Sequence, residues 1–227
     1  MLAAGIGTLK ESSLHLEIKN WYLQDGDLLE KRVGGYVIDI LRGDLGIEVQ
    51  TGSFSKLRDK LHTLLADRQV RVIYPIPEMK WVSRRDVLGN SSVIRRRSPK
   101  KGSIYSLFDE LVHLRSLIGH PNFSVEILLI EQEDIWINDN KGSWRRKYWS
   151  IFDRHLVAVF HRVEFKRVED YRSLLPEGIV GRFSSYELSM LAGIPPRLAR
   201  KLLYCLALMG IIRLEGVKNR RRYYSLI

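Results

Sequence analysis

The chain has 227 residues, 45% hydrophobic and 28% charged. That is enough apolar mass for a packed core, and it excludes a disordered, collagen-like or coiled-coil chain as the main state. Lys and Arg number 37 against 26 Asp and Glu, a net charge of +11 that favours polyanionic partners, nucleic acid before membrane surface.

The single cysteine, Cys205, lies in an apolar run and excludes an internal disulfide or a Cys-based zinc site. No apolar run reaches the ~18 residues of a membrane span. Residues 1–5 lack the basic start and apolar stretch of a signal peptide. A reduced, soluble, cytoplasmic protein is therefore expected, without membrane contact. The charge is uneven: residues 71–120 carry a net +6 and residues 171–227 a net +7, against −1 in each of the other two segments. Basic gripping surfaces flank a locally acidic region.

In chain order, Thr8 to Glu11 fits a capping box, and Leu14, Ile18, Trp21 and Tyr22 recur at helical spacing, which predicts a helix over 9–22. A strand over 28–33, the hairpin signal Gly34-Gly35 and a β-branched strand over 36–41 follow. A third strand spans 45–50, and a helix runs from Ser55 to about Asp67. The compact apolar run 70–74 is a buried strand that Pro75 and Pro77 are expected to stop. Residues 103–118 read as a helix, 123–130 as a strand, and 157–165 as another. Between these strands lie a loop at 138–143 and the basic-aromatic run Trp144 to Trp149, which suits base stacking or a place in the core equally. Residues 168–178 read as a linker. Ser184 to Glu187 is a second capping box, opening a short helix to Leu191. Pro195 and Pro196 start another, which Gly210 stops, and a basic hairpin over 211–226 closes the chain. No internal repeat, glycine-rich phosphate loop, HExxH or His/Cys metal cluster is present.

The chemistry-bearing residues are polar interruptions of apolar strands. Asp39 breaks the second strand, and Glu48 and Gln50 break the third, two residues apart and so on one face. A hairpin joining these strands sets Asp39 beside Glu48, where a hard divalent cation would offset their repulsion. Plain cross-strand charges are the alternative for this pair. Gln50 also suits a hydrogen-bonding role that fixes the turn 51–53, and Glu11 suits its capping box. Lys56, Arg58 and Lys60 are expected on the exposed helix face.

Asp39, the run Ile47-Glu48-Val49-Gln50 and the amphipathic helix that follows resemble the PD-(D/E)xK nuclease superfamily. The element order over residues 9–75 is similar to that family's core: helix, three strands, helix, strand. The resemblance implies an α/β fold with a mixed sheet, restriction-endonuclease-like in its αβββαβ core. It implies that Asp39 and Glu48 hold Mg²⁺ (or Mn²⁺), with Glu11 as a further acidic residue in the first helix that orients a second ion. The third motif position, usually Lys, is Gln50 here, similar to the Glu-x-Gln version of some restriction endonucleases. An amide supplies neither positive charge nor a base.

The C-terminal order of helix, turn, helix and basic hairpin is that of a winged helix-turn-helix. A nuclease-like domain over 1–170 and a DNA-binding domain over 171–227 are the expected organisation. Arg197, Arg200 and Lys201 would enter the major groove, and Lys218, Arg220, Arg221 and Arg222 would grip phosphates. Winged helices also serve as protein-interaction modules. The leading expectation is a metal-dependent deoxyribonuclease, with a homodimer suited to cutting both strands. The rival is a non-catalytic DNA-binding regulator built on an inactivated nuclease fold.

Overall fold

The computed structural model describes residues 12–85 and 94–227. Within the predicted first helix, α1 (Ser13–Tyr22) is described, with Leu14, Ile18 and Tyr22 on its buried side. The Thr8–Glu11 capping box lies outside the described residues. Strands β1 (Leu28–Val33), β2 (Tyr36–Arg42) and β3 (Leu45–Val49) form an antiparallel meander. Gly34 and Gly35 both take positive φ at its first turn, which glycine adopts without the steric cost of a Cβ.

A 3-10 turn (Phe54–Leu57) then leads into α2 (Arg58–Leu64), so the predicted helix is split and shorter. It returns the chain to β4 (Val70–Arg85), which pairs in parallel with β3. The prolines do not stop this strand. Pro77 aims its carbonyl at the Gly102 N–H, on the flank away from the next parallel strand, so its missing N–H costs no ladder bond on the other side. On that flank β3 has ended and β5 (Ile94–Arg97) pairs only from Trp81 onward. The helix expected over 103–118 is three short pieces around α3 (Leu107–Leu111).

Both later strands exceed their predicted lengths. β6 (Phe123–Ile137) lies parallel to β4, and β7 (Ser150–Phe165) pairs antiparallel with β6. The expected linker over 168–178 holds a 3-10 helix (Val168–Leu174). The C-terminal part contains β8 (Phe183–Ser184), α4 (Ser185–Ala192), α5 (Pro196–Leu208), β9 (Ile212–Lys218) and β10 (Arg221–Leu226). Its capping box forms as expected: the Ser184 hydroxyl accepts the Tyr186 N–H at 3.1 Å, and Glu187 accepts the Ser184 N–H at 3.0 Å.

The protein is thus mixed α/β. Its main sheet runs β1-β2-β3-β4-β6-β7, with β5 beside the far half of β4, and contains parallel and antiparallel pairs. A second sheet, β8-β10-β9, closes the C-terminal part. α1 covers one face of the main sheet, burying Leu14, Ile18 and Tyr22 against Ile47, Ile73 and Leu128. On the other face one continuous apolar cluster joins Leu61, Val72, Phe108 and Val125 to Tyr171, Leu202 and Leu206. The C-terminal helices share this core with α2 and α3.

Candidate functional site

The β2–β3 register sets Ile40 opposite Ile47, so the next position brings Asp39 alongside Glu48. Asp39 Oδ2 accepts the Val49 N–H at 2.8 Å and lies 3.1 Å from His15 Nε2 on α1. The carboxylate thereby ties β2 to β3 and to the helix above. Burial alone would raise the Asp39 pKa, but the His15 contact, the Val49 N–H and the charge of Lys60 outweigh it and hold the group below the ordinary range. Opposite Asp39 on β1, Glu30 takes a left-handed φ of 49° and pairs with the buried Lys19 at 3.0 Å.

Glu48 is 3% exposed. Burial, and then the like charge of Asp39, push its pKa up to about 7, against the partial relief that Lys60 gives. One carboxylate is held down and its neighbour up, so the pair is charged unequally at neutral pH. Lys60 Nζ lies 2.6 Å from Glu48 Oε2 and also donates to the Val37 carbonyl. Glu48 Oε1 is buried without a hydrogen-bond partner among the described residues.

Lys60 corrects the expectation of an exposed helix face. Lys56 and Arg58 are exposed as expected, whereas Lys60 turns inward to the carboxylates. The signal was available: Lys60 follows Leu57 by three residues and precedes Leu64 by four, which puts it on the stripe those leucines define. Gln50 is half-buried, and its amide nitrogen donates to the Ser53 carbonyl at 2.9 Å, the turn-fixing role open to it from sequence. Glu11 lies outside the described residues.

The donor set suits a hard divalent cation held by one or two carboxylates, with the remaining positions left to water and phosphate. The unpartnered Glu48 Oε1 beside Asp39 is the feature that fits it. Among the described residues, no group of three or more His, Cys, Asp or Glu side chains is arranged to hold a metal. Such a cation would rest on Asp39 and Glu48.

The predicted basic surface divides. Arg197, Arg200, Lys218, Arg220, Arg221 and Arg222 are exposed. A cavity of about 410 Å³ lies between α4, α5 and the β9–β10 hairpin, lined by Arg200, Arg220, Arg221 and Arg222 together with Ser184 and Tyr186. Four guanidinium groups around one opening suit phosphate oxygens. Lys201 departs from this set: its Nζ lies 2.6 Å from Asp109 Oδ1 on α3, so it joins the C-terminal helices to the sheet's cover. Among the described residues no helix is long and apolar enough to cross a membrane.

Residues 12–166 match the family described as a domain of unknown function (DUF8091), and the chain belongs to that family. An uncharacterized protein of Treponema pallidum (strain Nichols) is 33% identical over 177 residues, covering 76% of this chain and 70% of the relative. The family match ends one residue past β7 and leaves the C-terminal helices outside it. No solved structure matches the chain.

Proposed function

We propose that the protein is a metal-dependent nuclease that hydrolyses phosphodiester bonds in DNA. In this reading α1, β1–β3, α2 and β4 are a restriction-endonuclease-like core, and the C-terminal helices with their hairpin are a winged helix that binds duplex DNA. The observation that carries it is the Asp39–Glu48 pair, two adjacent carboxylates of which one is buried with an unpartnered oxygen. The order of the core elements, with β4 parallel to β3, supports the same reading.

Asp39 and Glu48 would hold Mg²⁺ or Mn²⁺, which when bound supplies Lewis acidity and a water of lowered pKa. The chain's own residues do the rest. Lys60 brings to Glu48 the positive charge that Gln50 cannot supply, and its ammonium suits a phosphate oxygen as the scissile bond is strained. Gln50 keeps its amide oxygen as an acceptor for a water, since its nitrogen is spent on Ser53. The exposed arginines of α5 and the hairpin hold the strand by its phosphates, without sequence information of their own.

A DNA-binding regulator without cleavage is the second reading. It is favoured by the closure of Lys60 onto Glu48 and by the commitment of the Gln50 nitrogen to the following turn. Cleavage of supercoiled plasmid with Mg²⁺ or Mn²⁺ decides between them. Wild type is expected to nick or linearise the plasmid, and Asp39→Ala and Glu48→Ala to abolish this while still binding DNA. Cleavage that survives both substitutions refutes the site. Salt-sensitive binding with no cleavage by wild type supports the regulator.

A further inference from the structure

β4 and β6 run on together well past the end of β3, from Ile73 opposite Val49 to Arg85 opposite Ile137. The twelve residue steps from Ile73 to Arg85, at about 3.3 Å each, make a blade roughly 40 Å long. Because β3, β4 and β6 are parallel, the blade rises from the end of the sheet where Glu48 and Gln50 lie. β5, with Arg95, Arg96 and Arg97 exposed, edges one side, and among the described residues the β6–β7 connection forms the tip.

The tip joins cations to uncovered aromatic rings. Trp144 is 72% exposed, Tyr148 55% and Phe152 69%. The Arg145 guanidinium lies 5.5 Å from the Trp144 ring centre, and Lys141 and Lys147 are exposed beside it. The connection is held in one shape: the Gly142 N–H donates to the Tyr148 carbonyl at 2.9 Å, and the Tyr148 N–H to the Ser143 carbonyl at 3.1 Å. Lys147 and Tyr148 hold successive left-handed φ angles of 50° and 65°, a conformation with a cost that the surrounding hydrogen bonds sustain. Gly142 admits no side chain, since a Cβ there would run into the Trp149 carbonyl group. An ordered loop that exposes flat rings between cations suits unpaired bases and their phosphates, whereas an intact duplex offers it no open base face.

We propose that the blade tip holds an unpaired stretch of DNA, with bases stacked on Trp144 and Tyr148 and phosphates on Lys141, Arg145 and Lys147. The substrate class of the Asp39–Glu48 site is then a duplex that carries a single-stranded tail. The proposal rests on the DNA reading above and is independent of cleavage. Contact with both tip and site needs about 12 stacked nucleotides, at 3.4 Å each along the blade.

The test is fluorescence anisotropy in EDTA, where nothing is cut, with labelled single strands, blunt duplex and tailed duplex. Tailed duplex is expected to bind at least about tenfold more tightly than blunt duplex, and single strands to gain affinity with length up to about 12 nucleotides. Trp144→Ala should weaken tailed and single-stranded binding by about tenfold and leave blunt duplex unchanged, with Trp144→Phe restoring most of the loss. Equal binding of blunt and tailed duplex, or an unchanged Trp144→Ala, overturns the proposal. So does binding of the tip to phosphatidylserine vesicles in place of oligonucleotides. Tail-dependent binding through Trp144 with no cleavage in Mg²⁺ removes the nuclease reading and keeps this one. Cleavage with no preference for a tail does the reverse.

Discussion

Replacing Glu48 with Gln should stabilise the metal-free protein at alkaline pH. The substitution keeps the side chain's shape and removes a charge that the site disfavours. Burial and Asp39 move the carboxyl from 4.5 to about 7, a balance that already includes the attraction of Lys60. At 1.36 kcal/mol per unit, the ionised form costs the fold about 3 kcal/mol relative to the neutral one. The folded value lies above the unfolded value, so this contribution is intact below about pH 4.5 and is lost as the pH rises through about 7. Glu48→Gln mimics the protonated group at every pH. Its advantage over wild type should therefore be under about 1 kcal/mol at pH 5 and reach up to about 3 kcal/mol at pH 8. For a chain of this size that is a Tm higher by roughly 6–12 °C. Thermal melts of both proteins in EDTA at pH 5, 6, 7 and 8 measure it. A variant that melts at or below wild type at pH 8 would falsify the assignment of Glu48 as a buried carboxylate under strain.

The partner substitution should act the other way. Lys60→Met takes away the cation beside the buried Glu48 and leaves it next to the like charge of Asp39, with the Asp39 backbone as its remaining hydrogen-bond partner, and should cost about 3 kcal/mol at pH 8 by urea denaturation. The loss should be clearly smaller at pH 5, where Glu48 is neutral; an equal loss at both pH values would assign Lys60 to packing alone. On the proposed function protons and a divalent cation compete for Glu48, so 10 mM Mg²⁺ should raise the Tm of wild type, and by less as the pH falls from 8 to 6. A shift independent of pH across that window would place the cation elsewhere.

The site pair was legible because a carboxylate in an apolar strand has few inexpensive explanations, and hairpin geometry leaves little freedom over where it lands. The blade was not, for two physical reasons. Pro75 and Pro77 read as strand breakers because a local pattern cannot tell which flank of a strand lacks a partner. The strand predicted over 123–130 stops short of the polar stretch Glu131 to Asp134, whose carboxylates are answered from neighbouring strands. Trp81 Nε1 donates to Glu131 at 2.5 Å, Arg95 lies 3.4 Å from Glu133, and Lys80 lies 3.5 Å from Asp134. Those partners stand many residues away in sequence, and no local periodicity carries them. The Lys201 ion pair was hidden for a similar reason, since its partner Asp109 belongs to a helix 92 residues earlier.

The core shared by the sheet's cover and the C-terminal helices has a mechanical consequence. Tyr171 stacks on Phe165 with ring centres 4.5 Å apart and meets Phe108 edge-on, so the chain enters its last segment through packed aromatics. Lys201 fastens α5 to α3 farther along. A basic cavity mounted in this way cannot swing on a tether. On the proposed function it acts as a ruler: a phosphate in the arginine cavity and the bond facing Asp39 and Glu48 stay at one separation, and cuts fall at a fixed offset from where the duplex is held.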